Sequence, residues 1–240
     1  QAGPTSRLPC QGLPQPVSRT RAGGGRAHAG DSGLSLPGGQ RPVGGGAPLS
    51  DYDAKAEEYA QEYANILERT PLDRKLLDLF AQRLQGSVLD LACGPGHVTG
   101  YLREKGLEVL GLDLSSRMVE LAREQFPEVE FAVGDMLQLP VSSQECGGIT
   151  AFYAIVHLSA AHLGRAIMEM YRALRAGGQL LLTFHSQLLD GQPDYRIFPM
   201  AEVKAALLLA GFAIEVEMER MPLADEDRTR RALIWAFKAA

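Results

Sequence analysis

Between Ser87 and His185, short apolar runs alternate with segments of helical period, and that alternation limits the possible folds more than any other feature of the chain. "SVLDLA" reads as a strand, 97–105 as a helix, "EVLGLD" as a strand, 116–125 as a helix, "VEFAVG" and "GGITAFYAIV" as strands, 160–175 as a helix and "QLLLTFH" as a strand. Strands that are apolar on both faces and separated by helices belong in a parallel sheet covered on both sides. The end of the chain differs. After a helix at 200–210 and Gly211, "FAIEVEMER" and "RRALIWAFK" follow each other across a polar loop containing "ADEDRT", and consecutive strands joined this way pair antiparallel. The expectation is an α/β, doubly wound sheet, mostly parallel, with an antiparallel strand near the C-terminus.

Ahead of the sheet, "SDYDAKAEEYAQEYANILERT" offers Ser50 or Asp51 as an N-cap and sets tyrosines at 52, 59 and 63 on helical spacing. A second helix is predicted with Thr70 as cap and Pro71 at its first position. Leu72, Leu76, Leu77, Phe80 and Leu84 form its buried stripe, and Gly86 lies past its end. Residues 50–240 thus read as one domain, long enough to bury a sizeable core. The first fifty residues hold 12 of the 26 glycines, 7 of the 14 prolines and no aromatic residue. Such a composition cannot bury enough apolar surface to fold, so 1–49 is expected to be a disordered Gly/Pro/Arg-rich tail, without function or an upstream reading extension. Five arginines against Asp31 give the tail +4, which leaves −9 on the other 190 residues of a chain whose total is −5.

That acidic balance, with no basic stripe, argues against a nucleic-acid partner, because neutralising phosphates needs clustered lysine and arginine. The longest apolar stretch, "AALLLAGFAI", is too short to cross a bilayer, and no basic segment followed by an apolar stretch marks a secretory signal, so a soluble protein is expected. Cys10, Cys93 and Cys146 lack metal-ligand or disulfide spacing and read as reduced thiols. No membrane partner and a cytoplasmic location are expected.

The chemistry concentrates in "VLDLACGPGHVTGYL". A dinucleotide loop would place a third glycine where Thr99 stands, and a pyrophosphate there would face Asp90 near the end of the first strand, so a ligand with a positive end fits better. Asp113 closes the second strand at the spacing where doubly wound folds present an acid to ribose hydroxyls. After the third strand, Asp135 can accept from an exocyclic amine and Met136 can pack its sulfur on an adenine face. The ligand reads as adenosine joined to a cationic, amino-acid-like end.

In order and spacing, "VLDLACGPG", "GLDLS" and "GDM", preceded by a "YDxxAxxY"-like start, resemble the class I S-adenosylmethionine-dependent methyltransferases over about 51–238. The resemblance implies a Rossmann-like seven-stranded sheet of order 3-2-1-4-5-7-6 and S-adenosyl-L-methionine as cofactor. By position it implies that Asp90, Ala92, Gly94 and Gly96 surround the methionine moiety, Asp113 the ribose, and Asp135 and Met136 the adenine. Leu114 and Met118 would line the nucleoside pocket, with Phe152 at the methionyl end. Ala92 stands where the family usually has glycine, a change of little consequence if its φ is negative. "HSQLLDGQPDYRIFPM" is short for the hairpin that related proteins often carry over the acceptor site.

Methyl transfer is a displacement that needs an aligned nucleophile and little water. If the acceptor needs deprotonation, His157 is the candidate base, with His185 as a second. Tyr59 and Tyr63 are candidates to close over the cofactor, and Tyr153, Asp194 and Tyr195 to border the acceptor. The expected function is methyl transfer to a small-molecule acceptor. The alternatives are a non-catalytic S-adenosylmethionine-binding regulatory protein and an NAD-dependent oxidoreductase, the latter opposed by Asp90.

Overall fold

The computed structural model describes residues 49–224 and 226–239, so the expected tail lies almost wholly outside the described residues. The first helical stretch is broken into α1 (Leu49–Ala54), α2 (Ala56–Tyr63) and α3 (Ile66–Arg69), followed by α4 (Pro71–Arg83). Seven strands and four more helices come after: β1 (Val88–Leu91), α5 (His97–Glu104), β2 (Val109–Asp113), α6 (Ser116–Gln125), β3 (Glu130–Val133), β4 (Cys146–Phe152), α7 (Ala160–Ala173), β5 (Leu174–Leu188), α8 (Met200–Ala210), β6 (Phe212–Arg220) and β7 (Thr229–Lys238).

The sheet runs β3-β2-β1-β4-β5-β7-β6. β7 pairs antiparallel with both β5 and β6, and the other neighbours pair parallel, as the sequence predicts. One face carries the larger apolar cluster, with Leu89, Leu91, Ile149, Leu182 and Phe184 of the sheet packed on Ile167 and Met170 of α7 and Leu207 of α8. The other face packs Leu181, Leu233 and Trp235 under Leu77 and Phe80 of α4 and Leu102 of α5. Each such side chain, fully removed from water, contributes about 1.5–3 kcal/mol.

Three expectations need correction. The strand read over 147–156 stops at Phe152, because Tyr153 turns to φ 53° and Ile155–His157 form a 3-10 turn. On α4, Leu72 is 39% exposed while the neighbouring Asp73 is buried, because the helix start faces the polar end of the sheet rather than its apolar middle. Thr70 does not cap α4 with its side chain; its hydroxyl donates back to the Ile66 carbonyl at 2.8 Å, closing the turn between α3 and α4.

Candidate active site

The β1–α5 turn bends sharply within five residues, with Ala92 at φ 52°, Gly94 at 53° and Gly96 at 88°. Ala92 therefore sits in the left-handed region, contrary to the negative φ that would make its side chain harmless. A Cβ on Gly96 would lie 2.8 Å from the Phe131 ring and 3.2 Å from the Ala122 Cβ, so this glycine serves the packing of α5 on α6 and β3.

The bend turns the Gly94 N–H toward Asp113, whose Oδ2 accepts it at 2.8 Å, while Oδ1 accepts the Ser115 N–H at 2.9 Å. One carboxylate thus ties together the first two strand-to-helix turns. Each oxygen keeps a further lone pair, and Asp113 lies on the wall of the main cavity. Burial pushes its carboxyl up, and the Ser115, Gly94 and Leu114 N–H groups pull it back.

The cavity encloses about 1030 Å³, the solvent at its mouth included, and lies over the C-terminal ends of β1, β2 and β4. In open α/β sheets this is where ligands bind. Of the residues expected at the cofactor, Ala92, Gly94, Asp113, Leu114 and Met118 line one part of it. Asp135, Met136, Phe152 and His157 also line it. Asp135 spends Oδ1 on the Leu137 N–H at 2.8 Å.

Asp90 and Gly96 are not on that wall. Asp90 is 1% exposed beneath the turn, where it accepts from Thr99 Oγ1 at 2.6 Å and Thr150 Oγ1 at 2.7 Å. It pins α5 and β4 to β1, and burial pushes its carboxyl up to about 6 against those two hydrogen bonds. Period and spacing put Asp90 on the correct strand, but only the pairing of β1 between β2 and β4 shows its carboxylate enclosed.

The remaining cover comes from α1 and α2. Asp53 accepts from the Ser115 hydroxyl, and Arg117 at the start of α6 pairs with Glu57 at 2.8 Å. These contacts bring Tyr52 and Tyr59 to the cavity wall, and Tyr63 stacks on Tyr59 with ring centroids 4.2 Å apart. The Tyr52 hydroxyl reaches His157 Nδ1 at 2.6 Å. Tyr52 and Ser115 were not singled out as site residues from sequence. The only signal for Tyr52 was its spacing of seven from Tyr59, two helical turns.

Next to Phe152, Tyr153 lines both the main cavity and a small void bordered by Asp73, Thr183, Arg220 and Arg231. Its backbone N–H donates to Thr183, to the carbonyl at 3.0 Å and the hydroxyl at 3.1 Å, which holds the left-handed bend. Burial lowers the pKa of His157, with Asp194 opposing, and pushes the Asp73 carboxyl up to about 6. Behind Tyr153, the His185 ring lies 5.0 Å away, with Tyr195 stacked on it at 4.2 Å. The Tyr195 hydroxyl donates to Asp227 at 2.8 Å. The short stretch after β5 crosses this end through the Arg196 N–H, which donates to the Val156 carbonyl at 2.8 Å.

Residues 88–178 match the family model for a methyltransferase domain. Over 155 residues the chain is 33% identical to a malonyl-[acyl-carrier protein] O-methyltransferase of Enterobacter lignolyticus, an alignment covering 65% of this chain and 59% of that protein. It is also 33% identical over 140 residues to a demethylmenaquinone methyltransferase of Thermotoga maritima, covering 55% of this chain and 58% of the relative. Among solved structures, a TehB-like S-adenosylmethionine-dependent methyltransferase of Corynebacterium glutamicum superposes with a TM-score of 0.61 at 25% identity, covering 78% of this chain and 99% of that one. The chain carries a class I S-adenosylmethionine-dependent methyltransferase domain. It spans less than two thirds of the length of those two curated relatives. The methyltransferase domain accounts for the position of the cavity, because the first turn, Asp113 and the "GDM" stretch meet on its wall.

Proposed function

We propose that this domain transfers a methyl group from S-adenosyl-L-methionine to a small-molecule acceptor. The observation that carries the reading is a single cavity with Gly94, Asp113, Asp135 and Met136 on one part of its wall and Phe152, Tyr153 and His157 on another. The cofactor supplies an electrophilic methyl on a sulfonium. The second lone pairs of the Asp113 oxygens suit two adjacent ribose hydroxyls. Asp135 and Met136 suit the amino edge and the face of adenine. Tyr52 and Tyr59 keep water from the reacting end, and holding the acceptor in line supplies most of the acceleration. His157 is uncharged at neutral pH because burial lowers its pKa. The Tyr52 hydroxyl lies 2.6 Å from its Nδ1 and 3.2 Å from its Nε2, so in the tautomer whose Nδ1–H donates to Tyr52 its Nε2 lone pair takes a proton from the acceptor once the acceptor displaces that second contact.

The names of the relatives support a small acceptor, malonyl on a carrier in one case and demethylmenaquinone in the other. The −9 charge outside the tail supports an acceptor other than nucleic acid. Cys93 and Cys146 are buried free thiols, which supports a cytoplasmic location. Among the described residues no helix is long and apolar enough to cross a membrane. Calorimetry with S-adenosylhomocysteine and NAD tests the cofactor, and a metabolite screen for S-adenosylhomocysteine release tests turnover. Binding of S-adenosylhomocysteine alone, with release on at least one small acceptor, is expected; preference for NAD would overturn the reading.

A further inference from the structure

The cavity wall offers a guest no charge that is not already committed. Asp113 and Asp135 are its charged side chains, and among the described residues no lysine or arginine lines it. Asp113 takes the Gly94 and Ser115 N–H groups and Asp135 the Leu137 N–H, and their remaining lone pairs are assigned to the ribose and the adenine. His157 is uncharged at neutral pH, since burial lowers its pKa.

Three neighbouring arginines are turned to other partners. Arg117, two residues past Ser115 of the wall, pairs with Glu57 and Glu120 at 2.8 Å each. Arg220 and Arg231 border the small void beyond Tyr153 and not the main cavity. Both Glu226 oxygens take the Arg220 fork at 2.6 Å. Arg231 donates from Nη1 to His185 Nδ1 at 2.7 Å; a guanidinium has only donors, so that contact leaves the His185 proton on Nε2.

Rings are what the wall does present. Tyr52, Tyr59, Phe152 and Tyr153 all line the cavity. Tyr59 is backed by Tyr63, with centroids 4.2 Å and planes 24° apart. Tyr153 is backed by His185 at 5.0 Å, itself stacked on Tyr195, and Tyr52 meets His157 at an interplanar angle of 74°. Rings held by such neighbours pack a flat guest without first having to be ordered.

We propose that the methyl acceptor is an uncharged, ring-bearing hydroxyl compound of the phenol class, and that the cavity discriminates against carboxylate and ammonium groups alike. The inference rests on the methyltransferase reading above and narrows it. A carboxylate entering this cavity leaves water and meets no cation, and an ammonium meets no uncommitted carboxylate. Either is buried unpaired, which costs far more than burying a neutral hydroxyl. In the transfer, the hydroxyl oxygen bonds to the methyl carbon, the carbon–sulfur electron pair stays with sulfur, and the hydroxyl proton goes to Nε2 of His157. The positive charge lost from sulfur is regained on the imidazole, so the net charge in the cavity does not change.

Calorimetry on the complex with S-adenosylhomocysteine tests this with naphthol, naphthoate and naphthylmethylammonium, each substituted at the same ring position. At about pH 7.5 the three are neutral, anionic and cationic. Naphthol should bind at least about tenfold more tightly than either ion. Tyr52→Arg sets a cation in the wall and should lower the preference for naphthol over naphthoate by about tenfold, while Tyr52→Phe should leave it within about twofold. Equal or tighter binding of naphthoate by the parent would overturn the proposal, as would an ammonium held more tightly through cation–π attraction. Naphthol that does not bind, or an unchanged preference in Tyr52→Arg, would overturn it too. Failure of S-adenosylhomocysteine itself to bind would instead strike the methyltransferase reading; if it binds, the other outcomes bear on the acceptor class alone.

Discussion

Ala92 in the first turn and Asp113, which that turn's Gly94 N–H reaches, both line the cavity proposed for the cofactor, and the first bears on stability while the second bears on binding. Ala92 at φ 52° adopts a conformation that puts its Cβ close to a carbonyl oxygen, at a cost of about 1–2 kcal/mol. Glycine removes that strain but loses about 0.5–1 kcal/mol of chain entropy. Ala92→Gly should therefore stabilise the domain by up to about 1 kcal/mol, a rise of about 2–4 °C in Tm for this size. Differential scanning calorimetry checks it, and an unchanged or lower Tm would refute the strain. Asp113→Ala removes charge-assisted hydrogen bonds of about 1.5–3 kcal/mol each, so affinity for S-adenosylhomocysteine should fall about tenfold to a hundredfold. Asp113→Asn keeps one acceptor oxygen and should lose less. Calorimetry on the three proteins would refute the ribose assignment if Asp113→Ala bound as tightly as the parent.

At the scale of elements, α1 and α2 form a strap whose position depends on contacts with α6 rather than on its own helical propensity, since helices of this length are marginal alone. The Asp53 side chain reaches both the Ser115 hydroxyl and the Arg117 N–H, and the strap carries Tyr52 onto His157. Asp53→Ala should loosen the strap without unfolding the sheet. Losing a hydrogen bond of about 1 kcal/mol corresponds to a roughly fivefold faster dissociation of S-adenosylhomocysteine, with little change in Tm. Stopped-flow release measures the first and calorimetry the second; an unchanged dissociation rate would show that the strap does not cover the cofactor.

For the whole molecule, buried ionisable groups determine how stability depends on pH. Burial holds His97 near about 4 and, together with Arg231, His185 near about 3, and it also lowers the pKa of His157. As pH falls below about 6.5 the unfolded chain takes up protons on these three that the folded chain refuses, which destabilises the fold. Asp73 and Asp90, held near about 6, act the other way. The folded chain protonates them before the unfolded chain does, near about 3.9, so they recover stability over that window. Below about pH 6, Asp73 and Asp90 offset His97 and His185 proton for proton, but the histidines begin to act at a higher pH, about 6.5, so the first effect of acidification is a loss of stability. Urea midpoints measured from about pH 7.5 down to 6 should fall; midpoints that rise would mean the carboxylates dominate.

The order of strands and helices, the turn after β1 and the acids closing β2 and following β3 could be read from the chain alone, because period, caps and glycine placement act over a few residues. Asp113 and Asp135 fell on the cavity wall for the same reason: a strand's end is a local feature. Other features depended on partners far away in the chain. The end of β4 at Tyr153 depends on Thr183 of β5, and the enclosure of Asp90 on Thr150, 60 residues away. Tyr52 meets His157 across 105 residues, and the proton position on His185 follows from Arg231, 46 residues on. Local sequence sets what each segment can form. Whether a carboxylate is walled in, and which nitrogen of a ring keeps its proton, depends on charges and donors that only the pairing of the sheet brings together.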